Sequence, residues 1–177
     1  NFFTEKKKIK NLLFDLIIIS NYGPSHFEYF KSFKNMGKNF IIEKPVANSV
    51  DRVDKIFYLA KKNKKNIFIH HQRNFYELPL IRKIFSKFNQ IPNQVVCFGG
   101  NTCLYTTGIH IYDLVCELYN EIPEYVITDI HDDKINPRGK NLSYISGFIK
   151  FFFKSKKTLI FEISNKTNIK NRTFLSS

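Results

Sequence analysis

Three short apolar runs, separated by segments of helical periodicity, constrain the fold of this chain more than any other feature. They are Asp15–Ser20, Phe40–Ile42 and Ile67–His70, and each is rich in β-branched or aromatic residues. A strand that is apolar on both faces belongs in a parallel sheet that helices cover. Short strands that alternate with helices through short loops therefore predict half of a doubly wound parallel sheet.

The segments between these runs carry the signals of helices. Phe27, Phe30 and Phe33 recur at helical spacing after Ser25, which can act as an N-cap. Ser49 can cap a second helix in the same way. The predicted buried face of that second helix consists of Val50, Val53, Phe57 and Ala60.

The pattern changes after residue 75, and residues 76–177 are expected to form a second domain. Helices are predicted at Leu78–Phe88 and Ile109–Tyr119, on either side of a strand at Gln94–Phe98. Three long β-rich segments follow, at Tyr125–His131, Tyr144–Phe153 and Thr158–Ser164. The last two are predicted to pair as an antiparallel hairpin, and the polar tail from Asn165 is predicted to fray.

The predicted fold class is therefore α/β plus α+β. Residues 1–75 supply the second half of a Rossmann-like parallel sheet, and residues 76–177 a mostly antiparallel open sheet packed with helices. Hydrophobic residues make up 43% of the chain and include 19 Phe, which is enough for a packed core and excludes a wholly disordered protein.

The net charge of +13 raises the question of a nucleic-acid partner. Lys far outnumbers Arg, whereas nucleic-acid binders commonly rely on the bidentate guanidinium group. The Phe residues also fall at periodic core positions rather than on an exposed basic sheet. A basic nucleic-acid module is thus an alternative interpretation, and no nucleic-acid partner is expected.

Two further classes are excluded by short patterns. The longest apolar runs, Leu16–Ile19 and Phe151–Phe153, fall far short of the roughly 20 residues of a membrane span. Cys97, Cys103 and Cys116 are odd in number and lack CxxC spacing, so neither a disulfide framework nor a zinc site is predicted. Reduced thiols of this kind are typical of a cytoplasmic protein.

Four motifs in this order resemble the Gfo/Idh/MocA oxidoreductases, named for glucose–fructose oxidoreductase and inositol dehydrogenase. They are Ser20–His26 after the first strand, Glu43–Pro45 after the second, Gln72–Phe75 at the predicted end of the third and Gly108–Leu114 at a helix start. The resemblance covers residues 12 to about 165. The Glu-Lys-Pro tripeptide is unspecific alone and becomes fairly specific when Gly-Ile-His-x-x-Asp-Leu follows it.

The resemblance implies an oxidoreductase that uses NAD or NADP and acts on the alcohol of a sugar, a cyclitol or a nucleotide sugar. The alternative is a regulatory protein of the same fold that binds NAD(P) or a sugar and does not catalyse a reaction. No GxGxxG fingerprint is present, so the chain is expected to start midway through the NAD(P)-binding domain, and its second domain can also be incomplete. A homo-oligomer through the C-terminal sheet is a further expectation.

Lys44 is the predicted donor to the reacting oxygen. It follows a buried strand, at the edge where open α/β sheets bind ligands, and Pro45 restricts its backbone. The resemblance places this lysine beside the nicotinamide ribose and the substrate oxygen, allows a cis bond to Pro45, and brings Glu43 near the ribose. The alternative is a strand-end lysine in solvent.

His110 is the predicted catalytic base, since an imidazole accepts a proton near neutral pH. The resemblance pairs it with an aspartate one turn earlier, but Thr106 stands there in this chain. Thr106 cannot stabilise an imidazolium by charge, so the usual dyad is in doubt. Asp113 shares a helix face with His110 and is a second candidate, although the family's aspartate there is more often structural.

The loop after the first strand is predicted to face the nicotinamide end of the cofactor. Its candidate residues are Asn21, Tyr22, Gly23, Pro24 and His26. Tyr22 could pack on the ring and Asn21 could bond the carboxamide. An ordinary Gly-Pro turn is the alternative.

The remaining expectations concern the substrate and metals. Arg73, Thr106 and Asp113 are the predicted substrate-site residues, and Arg73 would suit a phosphate or carboxylate on the substrate. No metal site is predicted, because His70 and His71 are adjacent and would point to opposite faces of a strand. Lys44 and His110 are expected to converge on one cleft, with their side-chain nitrogens within about 10 Å.

Overall fold

The computed structural model describes residue 9 and residues 12–100, 104–135, 143–164 and 172–176. The chain divides into two compact units, Asn1–His70 and His71–Ser177. Each unit is described by itself, and the domain boundary after residue 75 stays a prediction. Across the described residues, no helix combines the length and the apolar character needed to cross a membrane.

From residue 12 onward, the first unit contains a three-stranded parallel sheet and two helices, as predicted. The strands are β1 (Phe14–Ile19), β2 (Gly37–Glu43) and β3 (Asn66–His70), in the order β1-β2-β3. The helices are α1 (His26–Phe33) and α2 (Val50–Lys62), and a short 3-10 turn, Gly23–Ser25, precedes α1.

One face of this sheet forms the core of the first unit. Ile19 of β1 stands in register with Ile42 of β2, which is in turn in register with Ile69 of β3. Phe30 of α1 and Ile56 of α2 pack against this face, and both are fully buried. The parallel register thus buries alternate side chains of each strand beneath the helices.

The predicted buried face of α2 was wrong in part. Ile56 and Ala60 are buried, whereas Val50 is 76% exposed and Phe57 is 45% exposed. Successive helical residues are about 100° apart, so Phe57 cannot share the face centred on Ile56. The N-cap assignment is confirmed, because the Ser49 hydroxyl accepts from a backbone N–H in the first turn of α2.

The opposite face of the sheet carries an apolar row that remains largely exposed. Ile18, Ile41 and Phe68 lie in register across all three strands. Ile18 is 60% exposed and Phe68 is 58% exposed. Parallel sheets are ordinarily buried on both faces, so the exposure of this apolar row is unusual.

Replacing Ile18 with serine is expected to reduce the binding of an apolar dye and to cost less than about 1 kcal/mol of unfolding free energy. Dye fluorescence and thermal melting measure the two effects. Ile19→Ser is the matched control, because Ile19 is 3% exposed on the core face and its loss should cost about 3 kcal/mol. Equal destabilisation by both substitutions would show that the Ile18 face is covered.

The described residues of the second unit form two helices and a five-stranded mixed sheet, which confirms the predicted fold class. The helices are α3 (Gln72–Ser86) and α4 (Ile109–Tyr119), and a π-helical turn, Leu104–Gly108, leads into α4. The strands are β4 (Gln94–Gly100), β5 (Tyr125–Ile135), β6 (Ser143–Phe152), β7 (Thr158–Ser164) and β8 (Arg172–Ser176). The strand order is β5-β6-β7-β4-β8, and only the pairing of β4 with β7 is parallel.

Helix α4 supplies five of the twelve buried residues in the described core of the second unit, more than any other element. Its buried residues pack with those of β4 and β7. The predicted bounds of α4 are confirmed, and β6 and β7 pair antiparallel as predicted. The apolar periodicity of α4 was thus sufficient to locate the helix.

Two predictions in the second unit were wrong. Helix α3 begins at Gln72 rather than Leu78, so Gln72–Phe75 forms its first turn and not a strand end. The helix tolerates Pro79, although proline removes a backbone donor that would otherwise bond the carbonyl of Phe75. In the tail, residues 172–176 form β8 by pairing with β4, and residues 165–171 lie outside the described residues.

Candidate functional site

The carboxyl edge of the first unit's sheet brings several of the predicted residues together. Parallel strands in register end at one edge, where open α/β sheets bind ligands. Asn21 follows β1, Lys44 follows β2 and His70 ends β3. Glu43 and His70 are register partners, so the end of β2 and the end of β3 lie side by side.

The loop after β1 is fixed by its own hydrogen bonds. The Asn21 amide donates to the Ser25 hydroxyl, which donates to the carbonyl of Tyr22 at 2.6 Å. The sequence position of Ser25 suggested an N-cap of α1. Its hydroxyl instead closes the turn and makes no capping hydrogen bond. His26 is fully buried, and its Nε2 lies 2.8 Å from the carbonyl oxygen of Asn21. The buried imidazole thus holds Asn21 in place.

Gly23 joins this loop to the one after β2. A Cβ atom added at Gly23 would lie 2.9 Å from Cγ of Pro45, so only glycine permits this approach without a shift. The bond between Lys44 and Pro45 is cis, as the resemblance allowed. Arg52 of α2, which the sequence analysis missed, donates to the carbonyl of Pro24 at 2.9 Å. Contacts among the loop after β1, the loop after β2 and helix α2 therefore position the backbone that carries Lys44.

Glu43 and His70 form a carboxylate–imidazole pair at the same edge. The hydrogen bond joins Oε1 of Glu43 to Nδ1 of His70. Their side chains are 30% and 42% exposed, so solvent reaches both. The sequence analysis considered His70 only as a metal ligand. Within the described residues, no cluster of three His, Cys, Asp or Glu side chains could hold a metal ion.

In the second unit, His110 lies in the first turn of α4 and is 6% exposed. Thr106 lies on the π-helical turn one turn earlier and is half-buried. The chain therefore holds a histidine at the start of the helix as predicted. The structure places no carboxylate at the position of Thr106.

Asp113 contacts the start of α3. Its Oδ2 accepts a hydrogen bond from the Asn74 amide and lies 3.1 Å from Nδ1 of His71. The contact between Asp113 and His71 is close but is not a hydrogen bond. His71 Nδ1 has no hydrogen-bond partner among the described residues. The His71 ring in turn meets the His110 ring edge to face, with centroids 6.0 Å apart and planes at 79°.

The sequence analysis did not identify His71 and Asn74 as the partners of Asp113. His71 immediately precedes α3, and Asn74 lies in its first turn. Both are far from α4 in the sequence, and the packing of α3 on α4 brings them to Asp113.

Arg73 has a partner within its own helix. Its Nη1 lies 3.3 Å from Oε2 of Glu77, one turn further along α3. The guanidinium also lies close enough to Cys97 to oppose, weakly, the rise that burial causes in the pKa of that thiol. The contacts of the second unit do not test the predicted substrate role of Arg73.

Two other titratable residues on α4 cannot act as a base at neutral pH. Burial raises the pKa of Tyr112 to about 12. Burial also raises the pKa of the Cys116 thiol. A phenol and a thiol that stay protonated cannot act as a base or a ready nucleophile. His110, His71 and Asp113 remain as the candidates for proton transfer in this part of the unit.

The sequence of the first unit matches a known protein family. Residues 2–71 match the model of the Gfo/Idh/MocA family, described as an oxidoreductase family with an NAD-binding Rossmann fold. The uncharacterized oxidoreductase YhhX of Escherichia coli (strain K12) is 24% identical over 140 residues. That match covers 69% of this chain and 40% of the relative, so the chain spans less than half of the relative's length.

Solved structures show the same fold across both units. An NAD-binding protein from Listeria innocua superimposes with a TM-score of 0.74 at 19% identity, over 95% of this chain and 52% of that one. An oxidoreductase from Bacillus cereus superimposes with a TM-score of 0.72 at 15% identity, over 96% of this chain and 52% of that one. The family-model match over residues 2–71 and the YhhX relative confirm that the chain is similar to the Gfo/Idh/MocA oxidoreductases, and the solved structures show the same fold.

Proposed function

We propose that this chain carries the substrate-reacting residues of an oxidoreductase that uses NAD or NADP to oxidise or reduce the alcohol carbon of a sugar, a cyclitol or a nucleotide sugar. The observation that supports it most is the edge of the first unit's sheet, where Lys44 stands between a bonded Glu43–His70 pair and a cis Pro45 packed on Gly23. Strand edges of this kind are where doubly wound sheets bind nucleotides.

The residues at this edge fit the nicotinamide end of the cofactor. Asn21 and Glu43 supply an amide and a carboxylate that suit a carboxamide and a ribose hydroxyl. The hydroxyl of Tyr22 is buried and has no hydrogen-bond partner among the described residues, so it can accept or donate one further bond. His26 and Arg52 hold the loop from behind. When bound, the nicotinamide supplies the hydride chemistry.

Lys44 is the residue that acts on the reacting oxygen. As the alcohol carbon is oxidised, its oxygen gains negative charge, and an ammonium group directed at that oxygen stabilises the charge. The hydrogen bond of Glu43 to His70 and the close packing of Pro45 on Gly23 hold the residues on either side of Lys44, so little reorganisation is needed in the reaction.

His110 is the proposed base that takes the hydroxyl proton. Its burial at 6% exposure excludes most bulk water, which favours transfer to a bound substrate over exchange with solvent. Tyr112 and Cys116 stay protonated and cannot replace it. The predicted approach of Lys44 and His110 to within about 10 Å remains part of this proposal.

The test is the formation of reduced nicotinamide from NAD and NADP with a panel of sugars, cyclitols and nucleotide sugars. Turnover that depends on both Lys44 and His110 would support the enzyme. The second candidate is a non-catalytic binding relative, which Thr106 favours because it removes the carboxylate expected beside His110. Saturable sugar binding without turnover would support that relative.

The 177-residue chain is expected to bind NAD(P) only weakly, with a dissociation constant above about 1 mM. Its sequence has no GxGxxG turn, and a pyrophosphate needs such a turn at a helix N-terminus. Calorimetry with NAD and with nicotinamide mononucleotide checks this. Because only the nicotinamide end is held, the two affinities should agree within about threefold. Micromolar binding of NAD would contradict the prediction.

A further inference from the structure

We propose that His71 is a positioning residue for His110, and that the Asp113 carboxylate acts on His110 through the His71 ring. The proposal rests on the proposed role of His110 as a base. It assigns to a neighbouring pair the orienting function that Thr106 cannot perform. His71 need not touch the substrate for this role.

The first observation is that Asp113 contacts α3. It lies three residues after His110 on α4, yet its recorded polar contacts are with His71 and Asn74 at the start of α3. A carboxylate is also favoured at this end of α3, because the N-terminus of a helix carries partial positive charge. The Asp113 carboxylate is therefore directed at the start of α3 and not along its own helix.

The second observation is that the pair is largely shielded from solvent. The side chains of His71 and Asp113 are 18% and 32% exposed. A polar contact at this depth is screened less by water and salt than one on the surface. The 3.1 Å approach of the Asp113 carboxylate to Nδ1 therefore restrains the position of the His71 ring.

The third observation is the contact between the two rings. The edge-to-face arrangement of His71 and His110, at 6.0 Å between centroids, is a preferred geometry for aromatic pairs. A ring fixed by Asp113 thus limits the rotation of the His110 ring, and rotation decides which nitrogen faces a substrate. The Asp113 carboxylate contacts the His71 ring, and the His71 ring in turn contacts the His110 ring.

A purely structural role for Asp113 is the competing explanation. The Asn74–Asp113 hydrogen bond alone would clamp α4 to α3 and stabilise the unit. The substitution Asn74→Ala removes that clamp and leaves both rings in place. It is therefore the matched control, with an expected loss of thermal stability and no change at His110.

Nitrogen-15 NMR of the 177-residue chain measures the ratio of the two neutral tautomers of His110 at fixed neutral pH. The chain has five histidines, so each signal can be assigned by its own His→Gln variant. His71→Ala and Asp113→Asn are each expected to change the His110 ratio by about threefold or more. The signals of His26, which is buried in the first unit, should not move.

A double-substitution cycle decides whether Asp113 acts through His71. In the His71→Ala background, Asp113→Asn should cause no further change at His110. An unchanged ratio in His71→Ala, or an undiminished effect of Asp113→Asn in that background, would overturn the proposal. If His71→Ala does not fold, His71→Phe keeps a ring against His110, and the same cycle is run with it. None of these readouts needs turnover, so a chain without oxidoreductase activity would refute the proposed function and leave this test intact.

Discussion

Replacing Lys44 with alanine is expected to lower kcat/KM for the oxidoreductase reaction by about 100-fold or more. The substitution removes the ammonium group that stabilises the developing alkoxide. Rates are measured as reduced nicotinamide formed at equal cofactor concentrations, so that weak cofactor binding affects both proteins alike. The melting temperature should change little, because Lys44 lies at a strand end and is only half-buried.

Lys38→Ala is the matched control for this prediction. Lys38 lies near the opposite end of β2, is exposed, and carries the same charge. Its loss should leave the rate within about twofold of the unaltered protein. Equal activity of the Lys44→Ala protein would remove Lys44 from the mechanism, while the similarity to the Gfo/Idh/MocA oxidoreductases would stand. A similar fall in both variants would indicate a general effect of charge.

The sequence alone was sufficient for elements whose hydrophobic pattern is strong. The three strands of the first sheet and α4 have uninterrupted apolar patterns, and all were predicted. The start of α3 was missed because Gln72–Phe75 is polar and precedes Pro79, both of which suggest a break. Strand β8 was missed because it is exposed and depends on pairing with β4, and no local pattern reports such pairing.

The site followed the same division. Residues in motifs, such as Lys44 and His110, could be proposed from local spacing and resemblance. The partners of Glu43 and Asp113 could not, because they lie 27 and 39 residues away in sequence. The pairing of Glu43 with His70 had one available signal, since both residues end predicted neighbouring strands. The contact between Asp113 and Asn74 depends on how two helices pack, and the sequence pattern contains no trace of it.

Replacing Gly147 with alanine is expected to destabilise the second unit by about 3 kcal/mol or more, which lowers its melting temperature by about 10–20 °C. Gly147 has a φ of +121°, a region that residues with a Cβ rarely adopt. A Cβ built there would lie 2.1 Å from the backbone oxygen of Asp129 on the paired strand β5. Backbone of a paired strand cannot move aside without breaking ladder hydrogen bonds, so the overlap cannot be relieved locally.

Gly37→Ala provides the contrast, because its added Cβ would meet the flexible end of the Ile17 side chain at 2.8 Å. That side chain can rotate, so we expect a loss below about 1.5 kcal/mol. Calorimetry of both variants compares backbone with side-chain obstruction. Gly147 is also in register with Ile163, whose buried side chain packs in the core beneath α4, so its replacement should disturb the His110 NMR signal. The signal of His26 in the first unit should persist, and a melting temperature near that of the unaltered protein would show that β5 and β6 do not pair as described.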